Sequence, residues 1–335
     1  MVSYKTIIQS LSSLPSTLPS NLTAVFVGAT SGIGQATLIH FARATVSKSP
    51  TIYIVGRSAS ASGKLIADLR TINPSAKIEF VERDVSLIKG VDEAVADMKK
   101  DGLDKLDYLI MSVGFISLEG RKETKEGLEP SMTTRYYSRA RFIHHFIPLL
   151  NTSPNPHVLN VLAGGQEGRL NTSDLDLKSP KNYSIISAAV HSATMLTLIL
   201  ERYATANPKI SFVHSYPGFV ATPLFERGLS GISGILLRWT VVPVVKWFAM
   251  SAEEAGGRAL FYATNARYSV VPTESLAVAI PQGLQKARLS EGGVFLVGKD
   301  SESSDNEKML KELREKDADK VWEHTNQIWN AAISA

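Results

Sequence analysis

Three glycines, Gly28, Gly32 and Gly34, stand within seven residues of one another between an apolar run and a helix-periodic stretch. The run at residues 24–27 is β-branched and aromatic, and residues 35–43 repeat their apolar positions at helical spacing, so the segment reads as strand, tight turn, helix. Such a turn can do one kind of chemistry well. A pyrophosphate is held by unpaired backbone N–H groups at a helix N-terminus, where the dipole also favours negative charge, and side chains must be absent for it to approach. The residues offered to a dinucleotide are therefore Gly28, Ser31, Gly32, Ile33 and Gly34. Their spacing is G-x-x-x-G-x-G rather than the G-x-G-x-x-G of many dehydrogenases.

The string Thr30-Ser31-Gly32-Ile33-Gly34 behind a hydrophobic strand resembles the cofactor loop of the short-chain dehydrogenase/reductase family. The expected architecture is α/β: a single Rossmann-like, doubly wound parallel sheet with an apolar substrate lid and a C-terminal helix. In this architecture the residue ending the second strand meets the adenosine ribose, an acid favouring a free 2′-hydroxyl and an arginine a 2′-phosphate. The second strand, residues 51–55, ends in Gly56-Arg57-Ser58, so Arg57 selects NADP(H) over NAD(H). The resemblance further implies that Asp84 and Val85 lie beside the adenine ring. It places Gly114 at the turn after the fourth strand, where the family's asparagines are missing. Tyr216-Pro217-Gly218-Phe219-Val220-Ala221-Thr222 matches the family's Pro-Gly-x-Val-x-Thr turn, which puts Pro217, Gly218 and Thr222 against the nicotinamide carboxamide.

The resemblance fails where the family does its chemistry. Ala163 stands at the catalytic serine, and Arg135 falls at the active-site asparagine when counted back from Pro148. No Tyr-x-x-x-Lys is present in the helix that should carry it. One register, set by His191-Ser192, puts Ala189 and Ala193 at the tyrosine and lysine; a shift of six residues puts Tyr183 and Ser187 there. The first keeps the preceding loop at the length usual in the retinol-dehydrogenase-like branch. Loss of a single oxyanion donor typically costs on the order of a hundredfold in rate, so the usual mechanism cannot survive loss of all four groups.

Three functions remain. The first is an atypical NADP(H)-dependent oxidoreductase of ketone or alcohol type on a hydrophobic small metabolite, with Arg135 stabilising oxyanion charge and Tyr183 supplying the proton. The second is a repurposed fold that isomerises, cyclises or dehydrates such a metabolite by positioning. The third is a cofactor-binding protein without turnover. The substitutions also resemble fungal short-chain-reductase-like proteins of secondary metabolism, which implies a polyketide- or terpenoid-like substrate.

Several elements must hold these residues. Residues 1–21 read as an amphipathic helix and linker, residues 22–300 as the cofactor domain with a lid at 224–250, and residues 301–335 as a helical tail whose start, 300–307, is polar and mobile. A third strand at 77–81, a fourth at 106–111, a helix at 131–150, strands at 157–162 and 210–215 and a last strand at 293–297 complete the sheet. Ser251-Ala252-Glu253-Glu254 is a capping box that opens a helix to residue 264. His144 and His145 are neighbours on a helix, point apart and read as packing or surface residues, so no metal is expected.

Bulk composition closes off other classes. The 335 residues carry a formal charge of +4 with Lys and Arg dispersed, which argues against nucleic acid as a partner. There is no cysteine, which removes disulfides, thiolate metal sites and cysteine nucleophiles. Residues 1–21 lack the continuous apolar stretch of a signal peptide, and the apolar lid is interrupted by Arg238, Pro243 and Lys246, so a cytoplasmic protein without a transmembrane span is expected. The family resemblance implies a homodimer through the fourth and fifth helices.

Overall fold

The computed structural model describes residues 1–115, 120–222, 249–272 and 278–334. The apolar lid therefore lies outside the described residues except at its last two positions.

Strands are short apolar runs whose side chains alternate between two buried faces. In β1 (Thr23–Val27), Val25 and Val27 enter one core while Ala24 and Phe26 enter the other. β2 (Thr51–Gly56) repeats the split with Tyr53 and Val55 against Ile52 and Ile54. With β3 (Lys77–Glu82), β4 (Tyr108–Met111), β5 (His157–Val161), β6 (Ser211–Ser215) and β9 (Val294–Val297), they form a seven-stranded sheet in the order β3-β2-β1-β4-β5-β6-β9. Every pairing is parallel. A separate two-stranded ladder joins β7 (Val220–Ala221) to β8 (Met250–Ser251).

Parallel strands need crossovers, and helices supply them on both faces. One layer holds α1 (Tyr4–Thr17), α2 (Gly32–Ala44), α3 (Ala59–Ile72) and α8 (Ala252–Thr264). The other holds α4 (Ile88–Lys100), the short α5 (Pro130–Met132), α6 (Ser138–Leu150), α7 (Ile185–Ala206) and α9 (Glu307–Ser334). β1 pairs with β2 on one side and β4 on the other, so the direction of winding reverses there. The crevice beyond the C-terminal ends of β1 and β4 is where open α/β sheets take their ligands.

The apolar pattern alone would start the helices after β2 and β3 at Gly63 and Val91, and both begin earlier. α3 starts at Ala59 because Ser58 accepts a hydrogen bond from the Ala61 N–H and caps it. α4 starts at Ile88 because the Glu126 carboxylate, far along the chain, accepts from the Ile88 and Lys89 amides at 2.6 and 3.0 Å. The helix read at 131–150 is broken by a π-helical turn, Thr133–Tyr137, between α5 and α6. α8 opens as expected, with the Ser251 hydroxyl accepting from Glu254 N–H at 3.0 Å.

The N-terminal helix α1 lies on the domain with Ile7 and Leu14 buried, and the Arg258 guanidinium bonds the Val2 carbonyl. The segment 300–307, expected to be mobile, is packed instead. Ser301 is fully buried, its hydroxyl bonded by Arg258 and Tyr262 and its carbonyl by Tyr268. Polar composition there reflects buried hydrogen bonding rather than solvation.

Candidate functional site

The glycine corner divides its labour. Gly28 has φ +85°, and a Cβ there would lie 2.5 Å from the Val113 backbone; at Gly34 it would lie 2.6 Å from the Gly28 carbonyl oxygen. These two glycines let β1, β4 and α2 approach one another. Gly32 has φ +59° and faces Thr222, whose Cγ2 would be 3.1 Å from a Cβ, so the residue that follows β7 lies over the first turn of α2. Ser31 is the N-cap in extended conformation, its side chain makes no capping bond, and the first turn contains no acid. The orphan amides and positive dipole end of α2 are thus left for an outside anion. The corner fits a pyrophosphate.

Beyond the corner, Arg57 is exposed at the end of β2 and makes no hydrogen bond or ion pair among the described residues. Its neighbour Ser58 is spent on the α3 cap. Asp84 is exposed, and its Oδ1 accepts from the Ser86 N–H and hydroxyl at 3.0 and 2.8 Å, which leaves Oδ2 open. The Val85 side chain is in the core, so only its backbone can face an adenine. Pro217 and Gly218 on the turn after β6 and Thr222 just past β7 are half-buried, and Gly218 adopts φ +73° against the Lys299 side chain.

The π-helical turn sets the far side. A turn widened to i→i+5 bonding re-aims side chains, and such turns concentrate at functional sites. Here it presents Arg135, half-buried, toward Gly114, where a Cβ would come 3.9 Å from Arg135 Cγ. Among the described residues Arg135 makes no hydrogen bond or ion pair. Burial lowers its pKa, opposed by the nearby Glu129 carboxylate and Tyr183 phenol. Glu129 is buried as the N-cap of α5, its carboxylate accepting from Ser131 and Met132 amides at 3.0 and 2.6 Å.

Tyr183 sits just before α7, half-buried and packed on the core. Its pKa is raised, first by burial and then by Glu129, while Arg135 and Arg121 pull the other way. The two residues nominated from sequence are thus brought into one electrostatic neighbourhood. The loop after β5 meets α7 further along: Thr194 Oγ1 accepts from the Gly168 N–H at 2.9 Å, and a Cβ on Gly168 would lie 2.8 Å from Val190 Cγ1. That contact brings the segment after Ala163 against the Ala189–Ala193 part of the helix, while Tyr183 lies at the end nearer Arg135.

Ala163 offers no hydroxyl, and what lies beneath it is a closed chain of bonds. The Ala163 N–H donates to His214 Nε2 at 3.1 Å, which puts the ring proton on Nδ1, 2.9 Å from Thr197 Oγ1. Thr197 donates to Glu167 Oε1 at 2.6 Å, which also accepts from the Gly165 N–H. Burial holds His214 neutral, its pKa pushed down to about 3, and raises that of Glu167. The second Glu167 oxygen is buried without a partner, which disfavours the ionised form.

Sequence reading missed Arg139, one helical turn beyond Arg135. It is 1% exposed, and its five N–H donors meet Thr134 O, Met111 O, Val113 O, Val161 O and Asn160 Oδ1 at 2.6–3.4 Å. Burial, aided by Arg135, lowers its pKa to about 9. The guanidinium ties the ends of β4 and β5 to the π-helical turn. The available signal was the i, i+4 spacing of two arginines on one helix. Also missed was Arg121, whose Nη2 pairs with Asp176 at 3.1 Å while its Nε and Nη1 are buried without partners. His144 packs against Trp329 with ring centroids 5.5 Å apart and His145 pairs with Asp92 at 2.7 Å. Among the described residues no group of side chains could hold a metal.

Comparison with known proteins gives a consistent picture. The sequence profile of the short chain dehydrogenase family matches residues 22–230. The chain is 47% identical over 322 residues to the NmrA-like family domain-containing oxidoreductase notO of Aspergillus sp. (strain MF297-2), covering 95% of this chain and 92% of that one. It is 38% identical over 343 residues to oxidoreductase AN1596 of Emericella nidulans, covering 99% of each. Among solved structures, a short-chain dehydrogenase from Sphingobium yanoikuyae in complex with NADPH superposes with a TM-score of 0.51 at 19% identity, over 73% of this chain and 84% of that one.

Proposed function

The chain belongs to the short-chain dehydrogenase family, and from that premise we propose that it is an NADP(H)-dependent oxidoreductase of altered catalytic machinery acting on a hydrophobic ketone or alcohol. The observation that carries the reading is the unfilled N-terminus of α2 with an unpaired Arg57 beside it, an anion site matched to a 2′-phosphorylated dinucleotide. The NADPH complex among its structural neighbours is consistent with that choice.

In this assignment Gly28, Ser31, Gly32, Ile33 and Gly34 receive the pyrophosphate and Arg57 the 2′-phosphate. Asp84 and the Val85 backbone meet the adenine, and Gly114, Pro217, Gly218 and Thr222 line the nicotinamide end. NADPH bound there supplies the hydride for carbonyl reduction. Arg135 is the residue placed to stabilise oxyanion charge on the substrate, because it is half-buried, charged and free of partners among the described residues. Tyr183 is the proton donor. Its raised pKa keeps the phenol protonated at neutral pH, so it gives up a proton only as charge develops on the oxygen it faces. An apolar substrate is supported by Ile185 and Ile186, 39% and 76% exposed at the start of α7 next to Tyr183.

A non-redox reading, in which the same pocket isomerises, cyclises or dehydrates its substrate, is favoured by the alanines at 163, 189 and 193, which leave no donor at three family positions. NADPH oxidation across a panel of activated hydrophobic ketones separates the two. The redox reading expects turnover that falls on the order of a hundredfold in Tyr183→Phe. Cofactor binding without consumption over the whole panel moves the assignment to non-redox chemistry, and unchanged turnover in Tyr183→Phe removes Tyr183 as the acid.

A further inference from the structure

The loop between β5 and α7 ends in a turn drawn around one carboxylate. Asp174 Oδ1 accepts from the Lys178 N–H at 2.7 Å, and Oδ2 accepts from the Ser179 N–H at 3.0 Å and the Asn182 side-chain amide at 2.7 Å. The Asp174 carbonyl accepts from the Leu177 N–H at 3.1 Å. Burial alone would raise the Asp174 pKa, but these donors outweigh it and hold the carboxyl below its ordinary value, so the turn closes on a charged acceptor at neutral pH.

The bonds run on to the phenol nominated as the acid. Ser179, whose N–H is on Asp174, offers its carbonyl to the Asn182 and Tyr183 N–H groups at 2.9 and 3.2 Å. The Asn182 carbonyl accepts from the Ser187 hydroxyl at 2.8 Å, and Ser184 and Ser187 close a capping box at the start of α7. Tyr183 thus lies between an anchored turn and an anchored helix start.

The far side of the turn is pinned too. Leu175 and Leu177 are buried in the core, and Asp176 between them pairs with Arg121 at 3.1 Å. Leu177 takes φ +51°, a left-handed conformation that a bulky side chain rarely adopts and that persists only where surrounding contacts fix the backbone. Among the described residues, the charges that shift the Tyr183 phenol are Glu129, Arg135 and Arg121, so Asp174 reaches it through the backbone rather than through its field.

We infer that Asp174 is a positioning residue for the proposed reaction: its carboxylate fixes the 174–182 turn that sets Tyr183 against the substrate carbonyl. This role rests on the assignment of Tyr183 as the acid.

Asp174→Asn keeps the size of the side chain but turns one of its two acceptors into a donor facing an N–H. NADPH oxidation with the panel of activated hydrophobic ketones is measured for the parent, Asp174→Asn, Tyr183→Phe and the double variant. Asp174→Asn is expected to lower kcat at least about tenfold with NADPH affinity held, and to cost nothing further once the phenol is gone. Unchanged kcat in Asp174→Asn, or a loss that multiplies with that of Tyr183→Phe, overturns the role while leaving Tyr183 as the acid. Unchanged turnover in Tyr183→Phe removes the acid, and the role with it. A second measurement needs no turnover. Because the chain has no cysteine, Tyr183→Cys carries a single thiol, whose reaction with an aromatic disulfide reagent should quicken at least about tenfold when Asp174→Asn is added and the turn opens more often. Equal rates with and without Asp174→Asn overturn the role.

Discussion

Arg135 and Arg139 stand one turn apart, and replacing each by methionine is expected to move stability in opposite directions. The Arg139 guanidinium fills five acceptors at the ends of β4 and β5 and on the π-helical turn, all buried. Counting about 1 kcal/mol for each buried acceptor stripped of its donor, and crediting the relief of a buried charge, Arg139→Met loses about 3 kcal/mol. Arg135 bonds nothing among the described residues, and burial disfavours its charged form. Arg135→Met keeps the apolar stem beside Gly114 and gains about 1 kcal/mol, a small figure because the side chain is half-buried. Urea titration with a common m-value reads both changes, and thermal melts should separate the two variants by roughly 6 °C. Arg135→Met, the more stable variant, should be the one that loses carbonyl reduction, by about a hundredfold or more. If both variants destabilise equally, Arg135 is a structural tie and its role as a free cation fails. If Arg139→Met is neutral, the carbonyl cradle does not hold the strand ends.

Three further outcomes follow from the geometry. Because Tyr183 has a raised pKa, its acid form persists across the neutral range, so the reduction rate should be flat between about pH 6 and 9; a fall with a midpoint near 7 would mean another acid donates. Gly28→Ala combines φ +85° with a Cβ 2.5 Å from the Val113 backbone and should cost about 3 kcal/mol or more, whereas Gly32→Ala should cost about 1–2 kcal/mol but weaken cofactor binding at least about tenfold, as calorimetry can check. The folded-state pKa of Glu167 is raised, so the native state binds the extra proton and ionisation on raising the pH costs stability. Glu167→Gln removes that cost, and its stability relative to the parent should grow as the pH is raised above about 4, the ordinary carboxylate range, in parallel urea titrations; no trend would show that the carboxyl is not buried as described.

The sheet was legible because its strands are apolar runs of the right length, and the capping signals at Ser251 and the glycine corner act locally. Boundaries set by distant groups were not legible: α4 begins where Glu126 reaches it, and no window around Ile88 contains that carboxylate. Gly28 and Gly34 answer to packing against β4 and the turn itself, while Gly32 faces Thr222, and these demands come from distant parts of the chain. At the site, Arg135 could be nominated by counting from Pro148, but the π-helical turn that aims it is invisible to a periodicity argument, since one extra residue in a helix leaves the apolar pattern nearly intact. Arg139 was overlooked because a charged residue on an amphipathic helix is expected at the surface, and only the meeting of two strand ends gives it enough carbonyls to be buried.

The central claim is that a 2′-phosphorylated dinucleotide rests on the amides of α2 with its phosphate at Arg57. Fluorescence titration of NADPH and NADH into the parent chain and Arg57→Ala tests it directly. Tighter binding of NADPH by the parent is expected, with that preference falling about 10- to 100-fold in Arg57→Ala while NADH affinity holds, the size of a charged hydrogen bond to phosphate. Equal affinities in the parent, or no binding of either nucleotide, would contradict the account.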